Sequence, residues 1–210
     1  FESTIDGVSG DSADDDLVIK AGDNDTNASP GGLLTFGGSI GDTVPLTTLK
    51  INDQAGTMII DLPQIGGDGV AGVTGQVDIG NSNTQRLDIN SAVVDFGTGN
   101  VTLTGNTVFT AATPTIDMIQ TVTGGNGAAD GGDITITGTV TINNGTLDIN
   151  SGGGNIAITG NISSAGVDEA IILDDGSTIG GSGTASEGTI TLGGTVTSGD
   201  ITLIGDSGIS

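Results

Sequence analysis

Asp133-Ile-Thr-Ile-Thr-Gly-Thr-Val-Thr-Ile142 is the stretch that decides how the rest of the chain is read. Its even positions Ile134, Ile136, Val140 and Ile142 are apolar, and its odd positions Thr135, Thr137, Thr139 and Thr141 are polar. A period of two marks a strand with one buried face. Gly138 falls on the inward parity, where a missing side chain lets the backbone bend toward the core without breaking the alternation. The strand therefore turns a corner. After a turn at Asn143-Asn144-Gly145 comes a second short strand, Thr146-Leu-Asp-Ile-Asn150. Glycine-rich residues 151–154 then lead into Asn155-Ile-Ala-Ile-Thr-Gly-Asn-Ile162, so the pattern of Ile134 returns 22 residues later at Ile156.

The frame apolar-x-apolar-x-Gly-x-apolar recurs at Leu34-x-Phe36-x-Gly38-x-Ile40, Ile156-x-Ile158-x-Gly160-x-Ile162 and Ile190-x-Leu192-x-Gly194-x-Val196, with partial copies at Val101-x-Leu103-x-Gly105 and Ile201-x-Leu203-x-Gly205. Short strands and glycine turns at a fixed period predict a solenoid, in which each unit buries its apolar face by stacking on its neighbours. The expected fold is an all-β, right-handed parallel β-helix (β-solenoid) with loop insertions. At roughly 22 residues per coil and ~4.8 Å between strands, it would make about nine coils and a rod of about 45 Å. Residues 1–210 read as a single solenoid segment. Arg86-Leu-Asp-Ile-Asn90 closely matches Thr146-Leu-Asp-Ile-Asn150, which places the first half on the same unit as the second.

Composition agrees with a thin core. Only 2% of the chain is aromatic, there are 40 glycines, and Trp, Tyr, His and Cys are absent. A narrow column of Ile, Val and Leu needs no rings, and β-branched residues suit a pleated surface. Glycine content and a net charge of -23 also suit disorder, but the strand parity of the apolar residues argues against it. With 26 acidic residues against Lys20, Lys50 and Arg86, the surface repels phosphate backbones and anionic membranes, so neither nucleic acid nor membrane insertion is expected. No apolar run approaches a membrane span. The lack of cysteine leaves no disulfide available, which suits a bacterial or archaeal exterior.

The most acidic part comes first, with eight acidic residues in the first 25. Asp14, Asp15 and Asp16 precede the strand Leu17-Val-Ile19, and Asp23, Asp25 and Asn27 alternate after it like the first ligands of an oxygen-coordinated calcium loop. Ala28 and Leu34 stand where such a loop needs its glycine and its bidentate Glu. A solvated acidic loop and a weak calcium (Ca2+) site at Asp14, Asp15, Asp16, Asp23 and Asp25 are the two readings. No other cofactor is required. Further strands are expected within residues 33–36, 46–51, 58–62, 77–79, 87–89 and 94–96, and insertion loops at residues 121–132 and 164–170.

Val101-Thr-Leu-Thr-Gly-Asn106, Asp133-Ile-Thr-Ile-Thr-Gly138, Thr189-Ile-Thr-Leu-Gly-Gly194 and Leu33-Leu-Thr-Phe-Gly-Gly-Ser-Ile40 resemble the units of long repetitive bacterial surface exoproteins, the filamentous-haemagglutinin-like adhesins and autotransporter passengers. The resemblance implies a stiff extracellular rod at the cell surface, an adhesin stalk or filament subunit, with no catalytic residues to carry over. Host or cell-surface glycans are the partners such a rod would meet.

Without His or Cys there is no imidazole or thiol nucleophile pair. A polysaccharide-active β-helix enzyme would need paired carboxylates, for which Asp174-Asp175, Asp168-Glu169 and residues 14–16 are available, but the aromatic platforms of a saccharide cleft are missing. Outward Thr pairs at Thr102/Thr104, Thr135/Thr137, Thr139/Thr141 and Thr189/Thr191 offer an ice-binding array, broken in the next coil by Asn155 and Ala157. Sequons at Asn24, Asn27, Asn100, Asn144 and Asn161 would suit a glycosylated surface layer or sheath. Residues 1–8 show no helical amphipathicity that could cap a solenoid, and Asp200-Ile-Thr-Leu-Ile-Gly205 is repeat-like, so we expect end-to-end self-association or continuation into further repeats.

Overall fold

The computed structural model describes residues 2–8, 15–21, 30–53, 57–67, 72–82, 84–91, 93–97, 99–110, 115–118, 132–151, 154–164, 170–174 and 189–204. Its strands are β1 (Asp16–Ala21), β2 (Pro30–Thr35), β3 (Thr48–Asp53), β4 (Thr57–Leu62), β5 (Val77–Ile79), β6 (Thr84–Ile89), β7 (Val93–Phe96), β8 (Val101–Thr104), β9 (Asn106–Phe109), β10 (Thr115–Met118), β11 (Ile134–Thr137), β12 (Val140–Ile142), β13 (Thr146–Asn150), β14 (Ile156–Ile158), β15 (Ile162–Ser164), β16 (Ala170–Asp174), β17 (Ile190–Leu192), β18 (Val196–Thr197) and β19 (Asp200–Ile204).

They form three parallel sheets: β1-β3-β5-β8-β11-β14-β17, β2-β4-β6-β9-β12-β15-β18 and β7-β10-β13-β16-β19. Single parallel bridges carry the third sheet on from Val94 through Ile65 and Ile40 to Ile5. Each strand pairs with its counterpart one repeat away, which is the stacking of a solenoid. The repeat is not uniform. Hydrogen-bonded corner residues lie 33 positions apart for Asn100 and Asp133, 22 for Asp133 and Asn155, and 34 for Asn155 and Thr189.

In-register pairing turns the inward parity of each strand into a column. In the first sheet, Leu49, Val77, Val101, Ile134, Ile156 and Ile190 lie opposite one another in turn, and so do Ile51, Ile79, Leu103, Ile136 and Ile158. All of them are buried, while Thr102 and Thr135 between them face out. Phe36, Phe96 and Phe109 fill the same core. Thr107 is a hydroxyl in an apolar column: it is fully buried between Leu87 and Val140, and its Oγ1 donates to the Gly105 carbonyl at 3.4 Å.

The corner after the first sheet is built on stacked glycines. Gly105 and Gly138 hold φ values of 141 and 126, a region that L side chains rarely adopt. A Cβ on Gly138 would stand 2.3 Å from the Gly105 carbonyl oxygen, one on Gly160 would stand 2.1 Å from that of Gly138, and one on Gly194 would stand 2.5 Å from that of Gly160. Parity alone therefore understates why Gly138 is glycine: the coil below occupies the space of its side chain. A second glycine column, Gly75, Gly99 and Gly132, enters the same sheet in the same way.

Two alignments expected from the sequence are corrected by the pairing. Residues 86–89 belong to β6 in the second sheet, whereas Thr146–Asn150 is β13 in the third, so the shared Leu-Asp-Ile-Asn does not mark one position in the coil. Leu34 likewise pairs in the second sheet and Ile40 extends the third, while Ile134 and Val140 span the first and second. The apolar-x-apolar-x-Gly frame therefore serves two different corners, the first-to-second one at Ile134–Val140 and the second-to-third one at Leu34–Ile40.

Candidate functional site

Among the described residues the most regular polar feature runs along two corners. Just before the first sheet, Asn100 Oδ1 accepts the Asp133 N–H at 3.1 Å, Asp133 Oδ1 accepts both the N–H and the Nδ2 of Asn155 at 2.9 Å, and Asn155 Oδ1 accepts the Thr189 N–H at 3.0 Å. Just after that sheet, Asn106 Oδ1 accepts the Thr139 Oγ1 at 2.9 Å and Asn161 Oδ1 accepts the Thr195 N–H at 3.0 Å. These side chains satisfy corner N–H groups that the ladders cannot reach, because the chain there is bending out of the sheet. They tie each repeat to the next.

The sequence reading missed this role. A signal was present, since Asn100, Asp133, Asn155 and Thr189 each stand directly before the first apolar residue of a first-sheet strand. In the sequence Asn100 and Asn161 also carry the sequon pattern. Both are exposed, with the carbonyl oxygen turned to the next coil. Asn144 sits exposed at the turn before β13, and Asn24 and Asn27 lie outside the described residues.

Charged side chains meet on the outer face of the second sheet. Asp61 and Asp88 are direct register partners on β4 and β6, though far apart in sequence. Arg86 grips Asp88 with two bonds, Nε to Oδ1 at 2.6 Å and Nη2 to Oδ2 at 2.7 Å. That hydrogen-bonded contact, with the charge of Asp88 and a smaller contribution from Asp61, raises the guanidinium above its ordinary pKa. Asn90 Nδ2 donates to Asp61, and Thr110 Oγ1 donates to Asn90 in turn. The cluster thus holds its own carboxylates with its own donors. On the first sheet Lys50 reaches Asp78 across the register at 3.4 Å.

Of the calcium candidates, Asp14, Asp23 and Asp25 lie outside the described residues. Asp15 Oδ2 accepts the Val8 N–H at 2.9 Å, and Asp16 begins β1 opposite Thr48. Among the described residues no three acidic side chains converge on a metal position. Asp174 ends β16, whereas Asp168, Glu169 and Asp175 lie outside the described residues. The threonine pairs do not form one array. Thr102, Thr135, Ala157 and Thr191 share an outward column of the first sheet, with Thr104 opposite Thr137 beside it. Thr141 belongs to the second sheet, opposite Val108 and Ser163, and Thr189 and Asn155 belong to the corner ladder. Only Ala157, and not Asn155, interrupts the threonine column.

No protein-family model, no curated protein and no solved structure matches the chain.

Proposed function

We propose that the chain is a non-enzymatic structural rod on a cell exterior, a right-handed solenoid serving as a segment of an adhesin stalk or surface filament of the filamentous-haemagglutinin-like kind. The observation that carries this reading is the position of its half-covered apolar residues. Inward residues of the interior strands are buried, while Ile5, Leu17, Ile19, Leu34, Leu192, Val196 and Leu203 pack against the core and stay partly exposed. All seven lie on the outermost members of the three sheets.

Further coils, whether of the same chain or of a second copy stacked head to tail, would bury these side chains and add a strand to each sheet. The high negative charge opposes side-by-side association and leaves growth along the axis as the favoured direction. Sedimentation and negative-stain imaging of the 210-residue chain test this. We expect rods of uniform width that lengthen with concentration, and Pro at Ile201 and Leu203 should shorten them by removing amide donors from β19. Compact particles that stay monomeric at every concentration would overturn the reading.

A further inference from the structure

We propose that Asn144 is a site of spontaneous deamidation, singled out by the turn that carries it. Among the described residues Asn144 is the only asparagine followed by glycine, and it is exposed. The chain's other Asn-Gly pair, Asn126-Gly127, lies outside the described residues.

Exposure does not separate Asn144 from Asn100, Asn155 and Asn161, which are also exposed. The backbone nitrogen of the following residue does. In the corner ladders that N–H is committed to the next coil: Val101 donates to the Asp133 carbonyl at 2.8 Å, Ile156 to that of Thr189 at 3.0 Å, and Ile162 to that of Thr195 at 2.9 Å. Each of these residues is also β-branched, which crowds its nitrogen. The ladder side chains are held as well, through their Oδ1 atoms. Gly145 has no side chain to obstruct approach, takes φ 67 in the turn, and donates its N–H to no described group.

In the reaction the Gly145 nitrogen attacks Asn144 Cγ, the Cγ–Nδ2 bond breaks, and ammonia leaves with the peptide proton. Water then opens the cyclic imide at Cγ to give aspartate, or at the main-chain carbonyl to give isoaspartate. One water enters and one ammonia departs, so no oxidant or cofactor is needed. Isoaspartate adds a backbone atom to the turn before β13, beside the Gly145 carbonyl that accepts the Ala170 N–H at 3.3 Å, and either product erases the Asn144 sequon.

The test is to age the intact folded chain in mildly alkaline buffer and map its peptides by mass spectrometry, with isoaspartate-specific methylation as a second readout. We expect aspartate and isoaspartate to accumulate at 144 while 100, 155 and 161 keep their amides, and Asn144→Gln to abolish the methylation signal from that peptide. Retention of the Asn144 amide in the folded chain, under conditions where the denatured chain loses it, would overturn the proposal. Loss from the ladder asparagines as fast as from Asn144 would overturn it equally.

Discussion

Residues 86–90 and 146–150 differ only in their first member, Arg86 against Thr146, yet they lie in different sheets. In both the Leu and Ile point inward and are fully buried. What differs is the approach. The first is reached from the Gly80 corner at the end of the first sheet, and the second from the Gly145 turn that closes the second sheet. A pentapeptide with strand parity states which side chains are buried; the preceding corner states which wall of the solenoid they are buried against.

The largest effect that would break this comparison is a charge in either core column. Leu87→Asp and Leu147→Asp should each cost at least ~3 kcal/mol, because an unpaired carboxylate is buried in both. Ile136→Asp should match them, whereas Thr135→Asp, on the outward parity of the same strand, should cost under ~0.5 kcal/mol. Chemical denaturation followed by circular dichroism measures all four, and tolerance at Leu147 alone would mean that the two segments are not equally buried.

Corner glycines come next. Gly160→Ala forces a Cβ against the Gly138 carbonyl, which cannot move without shifting the coil below, and should cost ~2–3 kcal/mol. Gly145→Ala must adopt a left-handed φ and should cost ~1–2 kcal/mol. A reversal of that order would show that the turn before β13, and not the stacked corner, limits the fold.

Ladder side chains should contribute less. Asn155→Ala removes bonds to the coils on both sides and should destabilise by ~1–2 kcal/mol, while Asn144→Ala, outside the ladders, should change stability little. Hydrogen exchange at the Thr189 amide gives a local check: its protection should fall in the first variant and stay level in the second.

The smallest effect sharpens the comparison most. Arg86→Thr makes the two pentapeptides identical and removes a half-exposed ion pair, leaving Asp88 opposite Asp61 without its cation, so the loss should not exceed ~1 kcal/mol. Residues 86–89 should remain paired with β4 and β9. Amide contacts from residue 87 to residues 60 and 107, seen by nuclear magnetic resonance, establish that; their disappearance would mean that the pentapeptide itself selects the sheet.

Much of the fold was legible because strand parity is local. Thr146–Asn150 is a strand as read, and Ile134, Ile136, Val140 and Ile142 are all fully buried. The candidate sites were less legible. Asp61 and Asp88 are neighbours only through the register of β4 and β6, and the ladder role of Asn100 is hidden because its partner, the Asp133 N–H, is 33 residues away.

By itself, then, the sequence determined the period-two alternation, the glycine bends and the stacking of similar units, since these follow from the geometry of a few consecutive residues. Only the tertiary structure decided which wall each unit occupies, which glycine lies under which carbonyl, and which asparagine serves the coil above. The physical reason is that a strand's partner in the next repeat lies anywhere from 20 residues along the chain, as for Leu87 and Thr107, to 34, as for Ile162 and Val196, depending on the insertion between them, and no local pattern records that distance.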